Sequence, residues 1–340
     1  MPDVIATSFA TPNYSGLLFA KGRVDTPFST MIGANRRYVN HTEFSIGVEY
    51  AVGEGEIPAI SENATLTFPE AKTVTRGQKT NVTQLFMDAF AVGDVKTGNM
   101  GTMSGINVAG QQPNPMSEID FQAGVTMQRV AKSVEKTFIQ GTYNKATNDD
   151  EVNSTRGMVQ AIESNVLDLD GRPISIWDVA DMLVEIRKQG GSTVGLVLWC
   201  DSVTKFQFSS EAAANNFRVY PDSRNVNGLN ITRVETPAGN VDLYEGVYLP
   251  VGTALLLNFS VIRPVEQIIP GKGNFYLEEV PKSGFGTKYA LLGQVGLDHG
   301  PEWMHGKFTN IKTTYDRPNG LLLNTSGAAA SAANVPEVDE

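Results

Sequence analysis

The chain has 340 residues, 41% of them hydrophobic and 19% charged, which is enough for a sizeable core or two domains and excludes disorder as the default. A formal net charge of -10 disfavours a protein that grips nucleic acid through phosphate neutralisation, since that mode needs clustered Lys and Arg. The one cysteine, Cys200, excludes an internal disulfide framework and fits a reducing compartment.

Met1, Pro2, Asp3 and Val4 form no basic leader and no long apolar block follows, so neither a signal peptide nor a membrane span is expected, and the chain is expected to work in a cytoplasm. Residues 1–40 lack sustained periodicity yet carry Phe9, Tyr14, Leu17, Leu18, Phe19, Phe28 and Ile32. Two readings stay open for this segment: an extension wrapped over its own domain, or an arm laid on a neighbouring subunit.

Phe44, Ile46, Val48, Tyr50 and Val52 fall on every second position and predict a strand with one apolar face. A turn-forming stretch from Gly53 to Ala59 and a Thr-rich return through Thr65 and Thr67 complete a ribbon. With arms of about 20 residues at about 3.3 Å each, the ribbon would reach roughly 60 Å, so its apolar face needs a neighbour. Residues 81–93 are apolar but of uncertain type, and 97–115 read as a loop.

Ser117 and Asp120 then open a helix on which Ile119, Ala123, Met127, Val130, Val134 and Phe138 repeat every three or four residues, with Gly141 as the stop. Its early acids Glu118 and Asp120 and later bases Arg129, Lys132 and Lys136 suit the helix dipole. A second helix is capped by Ser175 and Asp178 and lined by Ile176, Val179, Leu183 and Ile186. The apolar run from Thr193 to Trp199 predicts a strand buried on both faces, followed by a hairpin over 231–234 and 241–244 and a buried strand over 254–262. Strands over 275–280, 289–297 and 307–313 are the expected partners of the long helix, and the Ala/Ser/Gly-rich tail beyond Pro318 cannot build a core.

Chemistry is sparse. His299, Glu302 and His305 can be drawn as a metal set, but Gly300-Pro301 breaks the helical geometry that would align them, so hydrogen-bonding or surface roles are expected. Asp168-Leu169-Asp170-Gly171 lacks the remaining oxygens of a calcium loop and reads as a turn. Cys200 reads as a buried inert thiol, and no nucleophile elbow or dinucleotide-binding glycine pattern is present. No catalytic, cofactor or metal residue is expected. Asp201, just after a buried strand, is where the substrate site of a cytoplasmic α/β enzyme would sit, and this is the alternative from another class.

The strings Ala6 to Phe9, Asn13 to Gly22, Thr26 to Phe28, Phe44 to Tyr50, Pro58 to Glu62, Thr75 to Gln78, Asn81 to Gln84 and Glu135 to Tyr143 resemble those of the major head proteins of tailed bacteriophages, a branch of the Hong Kong 97-like capsid fold. A fainter resemblance runs in register from Ser283 to Ile311. The resemblance implies an α+β chain that divides into an N-terminal arm (1–40), an extended β-ribbon loop (41–85), the first part of a peripheral domain with a long spine helix (86–160), a mixed α/β axial domain (161–253), peripheral return strands (254–316) and a tail (317–340). It implies self-assembly into hexamers and pentamers of an icosahedral or prolate head around double-stranded DNA, assembly in the host cytoplasm, residence in the virion, and portal, scaffolding and decoration proteins as further partners, with no membrane. Tyr14, Leu17, Leu18 and Phe19 of the arm and Phe44, Ile46, Val48 and Tyr50 of the ribbon are the expected assembly contacts. Ile119, Met127, Val130, Val134 and Phe138 are the expected spine-helix core. A cellular nanocompartment shell of encapsulin type is the alternative within the same fold.

Overall fold

Every residue from Leu196 to Cys200 is apolar, and every one is buried, so this strand has a layer of protein on each face. The computed structural model describes residues 14–15, 25–52, 59, 61–63, 73–94, 103–104, 118–148, 150–214, 224–226, 229–281, 284, 286–316 and 322–324. In chain order its elements are β1 (Tyr14–Ser15), α1 (Pro27–Ile32), β2 (Arg37–Val39), β3 (Glu43–Glu49), β4 (Gly77–Val82), β5 (Gln84–Val92), β6 (Met103–Ser104), α2 (Glu118–Gln140), α3 (Met158–Ala161), β7 (Val166–Asp168) and α4 (Ile176–Lys188). There follow β8 (Leu196–Cys200), α5 (Ser202–Ala214), β9 (Arg224–Val226), β10 (Leu229–Thr236), β11 (Gly239–Glu245), β12 (Ala254–Asn258), β13 (Arg263–Gln267), β14 (Phe275–Val280), β15 (Thr287–Asp298), β16 (Gly306–Thr309), β17 (Thr314–Asp316) and β18 (Leu322–Asn324).

One sheet has seven strands in the order β7-β16-β12-β8-β11-β10-β9. Alternation along β8 divides its side chains between two cores. Leu196, Leu198 and Cys200 join Val179, Leu183 and Ile186 of α4, whereas Trp199 turns the other way with Leu255 and Leu257 to meet Phe28, Val130 and Phe138. The second sheet is built on β15, which pairs with β5 along one edge and with β14 and then β13 along the other; β2 pairs with β13. The buried stripe Val130, Val134 and Phe138 of α2 packs in the same core as Phe86 of β5 and Leu291, Val295 and Leu297 of β15.

Both helix starts that matter here are capped by carboxylates. At α4 the Ser175 side chain and the Asp178 carboxylate form the expected capping box, and Asp178 is further held by Arg172 through two contacts of 2.6 Å. At α1 the cap comes from far away: the Glu135 carboxylate accepts hydrogen bonds from Phe28 N (2.7 Å), Ser29 N (2.8 Å) and Ser29 Oγ (2.6 Å). Burial pushes the Glu135 carboxyl upward from its ordinary value, while the three donors oppose that shift. Phe28 then sits edge-on to Trp199 with ring centroids 5.7 Å apart.

The structure corrects several expectations. The segment up to residue 40 is not wholly an arm, because α1 fills the chain's own core with Phe28 and Ile32 and β2 extends a sheet. Tyr14 lies in β1, whose backbone pairs with β6 of the same chain, and Leu17, Leu18 and Phe19 lie outside the described residues, as does Ser117. Ile119 is half-buried and Met127 is 56% exposed. Of the apolar stripe residues on α2, Val130 is the first to be buried, although Thr126 beside Met127 is buried too. The expected strand over 254–262 ends at Asn258, and β16, expected to partner the long helix, pairs with β12 in the seven-stranded sheet and buries Phe308 on the α4 side. Every residue of β12 is buried, with Ala254 and Leu256 in one core and Leu255 and Leu257 in the other, as a strand in the middle of the central sheet requires. Residues 81–93 resolve into the end of β4 and all of β5.

Phe138→Ala is expected to lower unfolding free energy by about 3 to 5 kcal/mol through the cavity it leaves, and Met127→Ala by less than about 0.5 kcal/mol. Urea titration of the two variants checks the contrast.

Candidate assembly surfaces

The ribbon is anchored before it leaves the body. β3 and β4 pair antiparallel, with a register shift between Ser45 and Val48. Phe44 and Ile46 are buried against Val265 and Val39 of the same chain, so these two expected assembly contacts belong to the subunit's own core. The register shift interrupts the five-residue apolar face that alternation alone predicts. Beyond it, Tyr50 and Val52 are 65% and 82% exposed and Val74 on the returning side is also exposed. Residues 53–58, 60 and 64–72 lie outside the described ones, and with them the tip that the length estimate concerned.

The root of the ribbon is polar and closely bonded. Asn81 donates to the Leu297 carbonyl at 2.7 Å and accepts from Arg156 N at 2.9 Å. Arg37 bridges the Ser45 carbonyl at 2.7 Å and the Asp298 carboxylate at 3.0 Å, and Lys145 meets Glu43 at 2.6 Å. Lys79 of β4 lies 3.6 Å from Glu302. Burial alone would raise the Glu302 carboxyl, but hydrogen bonds from the Ser164 hydroxyl and the Glu163 and Ser164 N–H groups, with Lys79 beside them, hold it below its ordinary value.

Next to this root lie the two histidines that sequence reasoning considered as metal ligands. His305 Nδ1 accepts from Asn258 N at 3.1 Å, so its proton sits on Nε2, which donates to the His299 carbonyl at 2.8 Å. His299 donates from Nδ1 to the Gly300 carbonyl at 2.7 Å, and its Nε2 is buried without a hydrogen-bond partner among the described residues. Burial pushes both imidazoles down to about 4. Their geometry is that of core hydrogen-bonding groups, and among the described residues no group of His, Cys, Asp or Glu is placed to hold a metal ion.

The other chemical candidates have structural roles too. Cys200 is fully buried, and burial drives its thiol far above the ordinary range, which makes it a poor nucleophile. Asp201 caps α5, accepting from Thr204 N at 2.9 Å. Asp168 is engaged by Asp170 N and Asn310 Nδ2 in the turn that its sequence predicts, with Asp170 and Gly171 both at positive φ. That turn borders an open groove of about 520 Å³ with Gly252 and Thr313 on its rim.

A surface that sequence reasoning missed is the outward face of the sheet around β15. Phe86 and Leu291 point toward α2, so their neighbours Leu85, Met87 and Leu292 point away from it. Register places Met87, Leu292 and Tyr276 in line across three strands. Met87 is 67% and Leu85 53% exposed, with Leu292 and Tyr276 half-buried. The available signal was that β5 is apolar on both phases of its alternation.

Comparison with solved structures defines the class. The capsid of cyanophage A-1(L) aligns over 87% of this chain and 95% of its own with a TM-score of 0.58 at 13% identity. The SrpI encapsulin of Synechococcus elongatus aligns over 88% and 95% with a TM-score of 0.58 at 12% identity, and the capsid of cyanophage P-SCSP1u over 90% and 93% with a TM-score of 0.54 at 9% identity. The fold is the Hong Kong 97-like fold of capsid shells. The chain belongs to the SU10 major capsid protein family, whose model matches residues 2–312. Among curated proteins none matches. It is therefore a structural protein of a bacteriophage whose function is to form the capsid shell from copies of itself, with the virion as its location.

Because the unfolded histidines titrate near 6.5 and the folded ones near 4, the unfolded chain gains protons first as pH falls. Stability is expected to be at its full value above about pH 6.5 and to drop between pH 7 and pH 5 by about 2 kcal/mol per histidine. Urea midpoints at the two pH values measure the drop, and His305→Gln should remove about half of it.

Proposed function

We propose that copies of this chain assemble as hexamers and pentamers into an icosahedral or prolate head that encloses double-stranded DNA, and that each copy lays its ribbon on the body of a neighbour. The observation that carries the reading is an unmatched pair of apolar surfaces on one subunit. The ribbon exposes Tyr50 and Val52 beyond its anchored root, and the sheet exposes Leu85 and Met87 on a face where an antiparallel sheet ordinarily presents polar residues. In this reading each covers the other across two molecules. Such a contact is heterologous, and heterologous contacts close into rings when the rotation per copy permits. Val48 and the arm residues Tyr14, Leu17, Leu18 and Phe19 belong to the same set of proposed contacts. Phe44 and Ile46 do not, since they serve the root.

Assembly takes place in the host cytoplasm, with portal, scaffolding and decoration proteins as further partners. The net charge of -10 supports a container that repels its cargo as a whole, which keeps DNA movable. An encapsulin-type compartment is the second reading, favoured by the likeness to SrpI, and the match to a capsid family weighs against it. Nucleic acid inside purified particles favours the head, and an enzyme cargo without nucleic acid favours the compartment.

Electron microscopy of the overexpressed chain tests the reading, with closed particles as the expected result. A Tyr50→Ser/Met87→Ser variant is expected to keep its unfolding free energy within about 0.5 kcal/mol per site, since both side chains are exposed, and to lose closed particles. Normal particles from this variant would remove the ribbon-to-sheet contact.

A further inference from the structure

The exposed side of α2 carries a charge pattern that its own fold does not use. From Phe121 to Gln140 the helix has one carboxylate, Glu135, and that group is buried beneath α1. Arg129, Lys132 and Lys136 recur at spacings of three and four, so they line one side of the helix. At 3.6 residues per turn that side lies opposite the buried stripe of Val130, Val134 and Phe138. Arg129 and Lys136 are exposed and Lys132 is half-buried. Arg129 is engaged by Asp88 at 2.7 Å, whereas Lys132 and Lys136 meet no carboxylate within ion-pair distance among the described residues. The dipole that sequence reasoning invoked does not account for them, because the last turn of the helix contains no base and the dipole acts over the last turn. In a chain with net charge -10, a side that carries Glu118 at its first turn but only cations from Phe121 onward is a local reversal of sign over most of the helix.

We propose that this face of α2 is where the shell touches the phosphate backbone of the double-stranded DNA it encloses. The inference rests on the reading of the chain as a DNA-enclosing head. Two unpaired lysines per subunit make a weak contact that carries no sequence information. Repeated over many copies held in one shell, the contact acts collectively on a single long polyanion. The acidic remainder of the surface keeps the duplex from adhering elsewhere, so the helix sets which side of the subunit faces the DNA.

The test uses the unassembled full-length chain and a labelled duplex of about 30 base pairs, titrated over about 25 to 200 mM salt. Binding by the wild-type chain is expected to fall with a log–log salt slope near -2, at roughly -0.9 for each phosphate neutralised. Lys132→Gln/Lys136→Gln should flatten that slope and weaken binding about tenfold at the low-salt end. Equal slopes, or no duplex binding by the wild-type chain, would overturn the contact. Displacement of the duplex by polyglutamate at equal charge would also overturn it, in favour of an acidic protein partner. Electron microscopy of the same preparations separates this inference from the one it rests on: particles with unchanged slopes defeat the DNA contact alone, and a wild-type chain that forms no particles defeats the shell.

Discussion

The architecture depends on one strand having no solvent face. With all five residues of β8 buried, the seven-stranded sheet must be covered on both sides, by α4 on one and by the α2 assembly on the other. Trp199 is where the two halves meet, since its ring packs against Phe28, Tyr244 and Phe259 at centroid distances of 4.7 to 5.9 Å. A large indole with no exposed area, surrounded by three aromatic rings from separate segments, fixes the halves relative to one another. A rigid body of this kind is what a shell subunit requires, because errors in subunit shape accumulate around a closed surface.

Rigidity at the centre contrasts with the surfaces proposed to face other copies. The sheet on β15 spends one face on α2 and leaves the other apolar, and the ribbon is pinned at its root by Asn81, Arg37 and Lys145 and bare beyond it. Pinning matters energetically. A ribbon whose root is fixed by its own subunit would have less conformational freedom to lose there on docking, leaving more of the proposed contact energy to hold a shell.

Much of this was legible from residues alone. The period-two pattern from Phe44, the capping pair Ser175 and Asp178, and the continuous apolar run through Leu198 each specify local geometry, and each appears where spacing puts it. What spacing could not give was partnership over distance. Nothing near Glu135 announces that its carboxylate caps a helix 106 residues earlier, and nothing near Phe308 says that its strand joins β12 and packs on the α4 side and not on the long helix. Met127 fits the helical stripe as well as Val130 does, yet one is exposed and the other buried, which spacing alone does not tell apart. The assembly surfaces were half legible. An apolar alternating face marks a ribbon, but a register shift after Ser45 decides which of its residues stay home.

The Glu135 cap has a consequence for how the polypeptide is made. Synthesis runs from the amino end, so Phe28 and Ser29 emerge more than a hundred residues ahead of the carboxylate that receives their N–H groups. Until Glu135 and Trp199 have followed, the greasy face of α1 has no seat, and closing so long a loop is slow. Because that seat also includes Leu255, Leu257 and Phe259, about three-quarters of the chain must be made before the amino-terminal segment can pack as it does in the finished subunit.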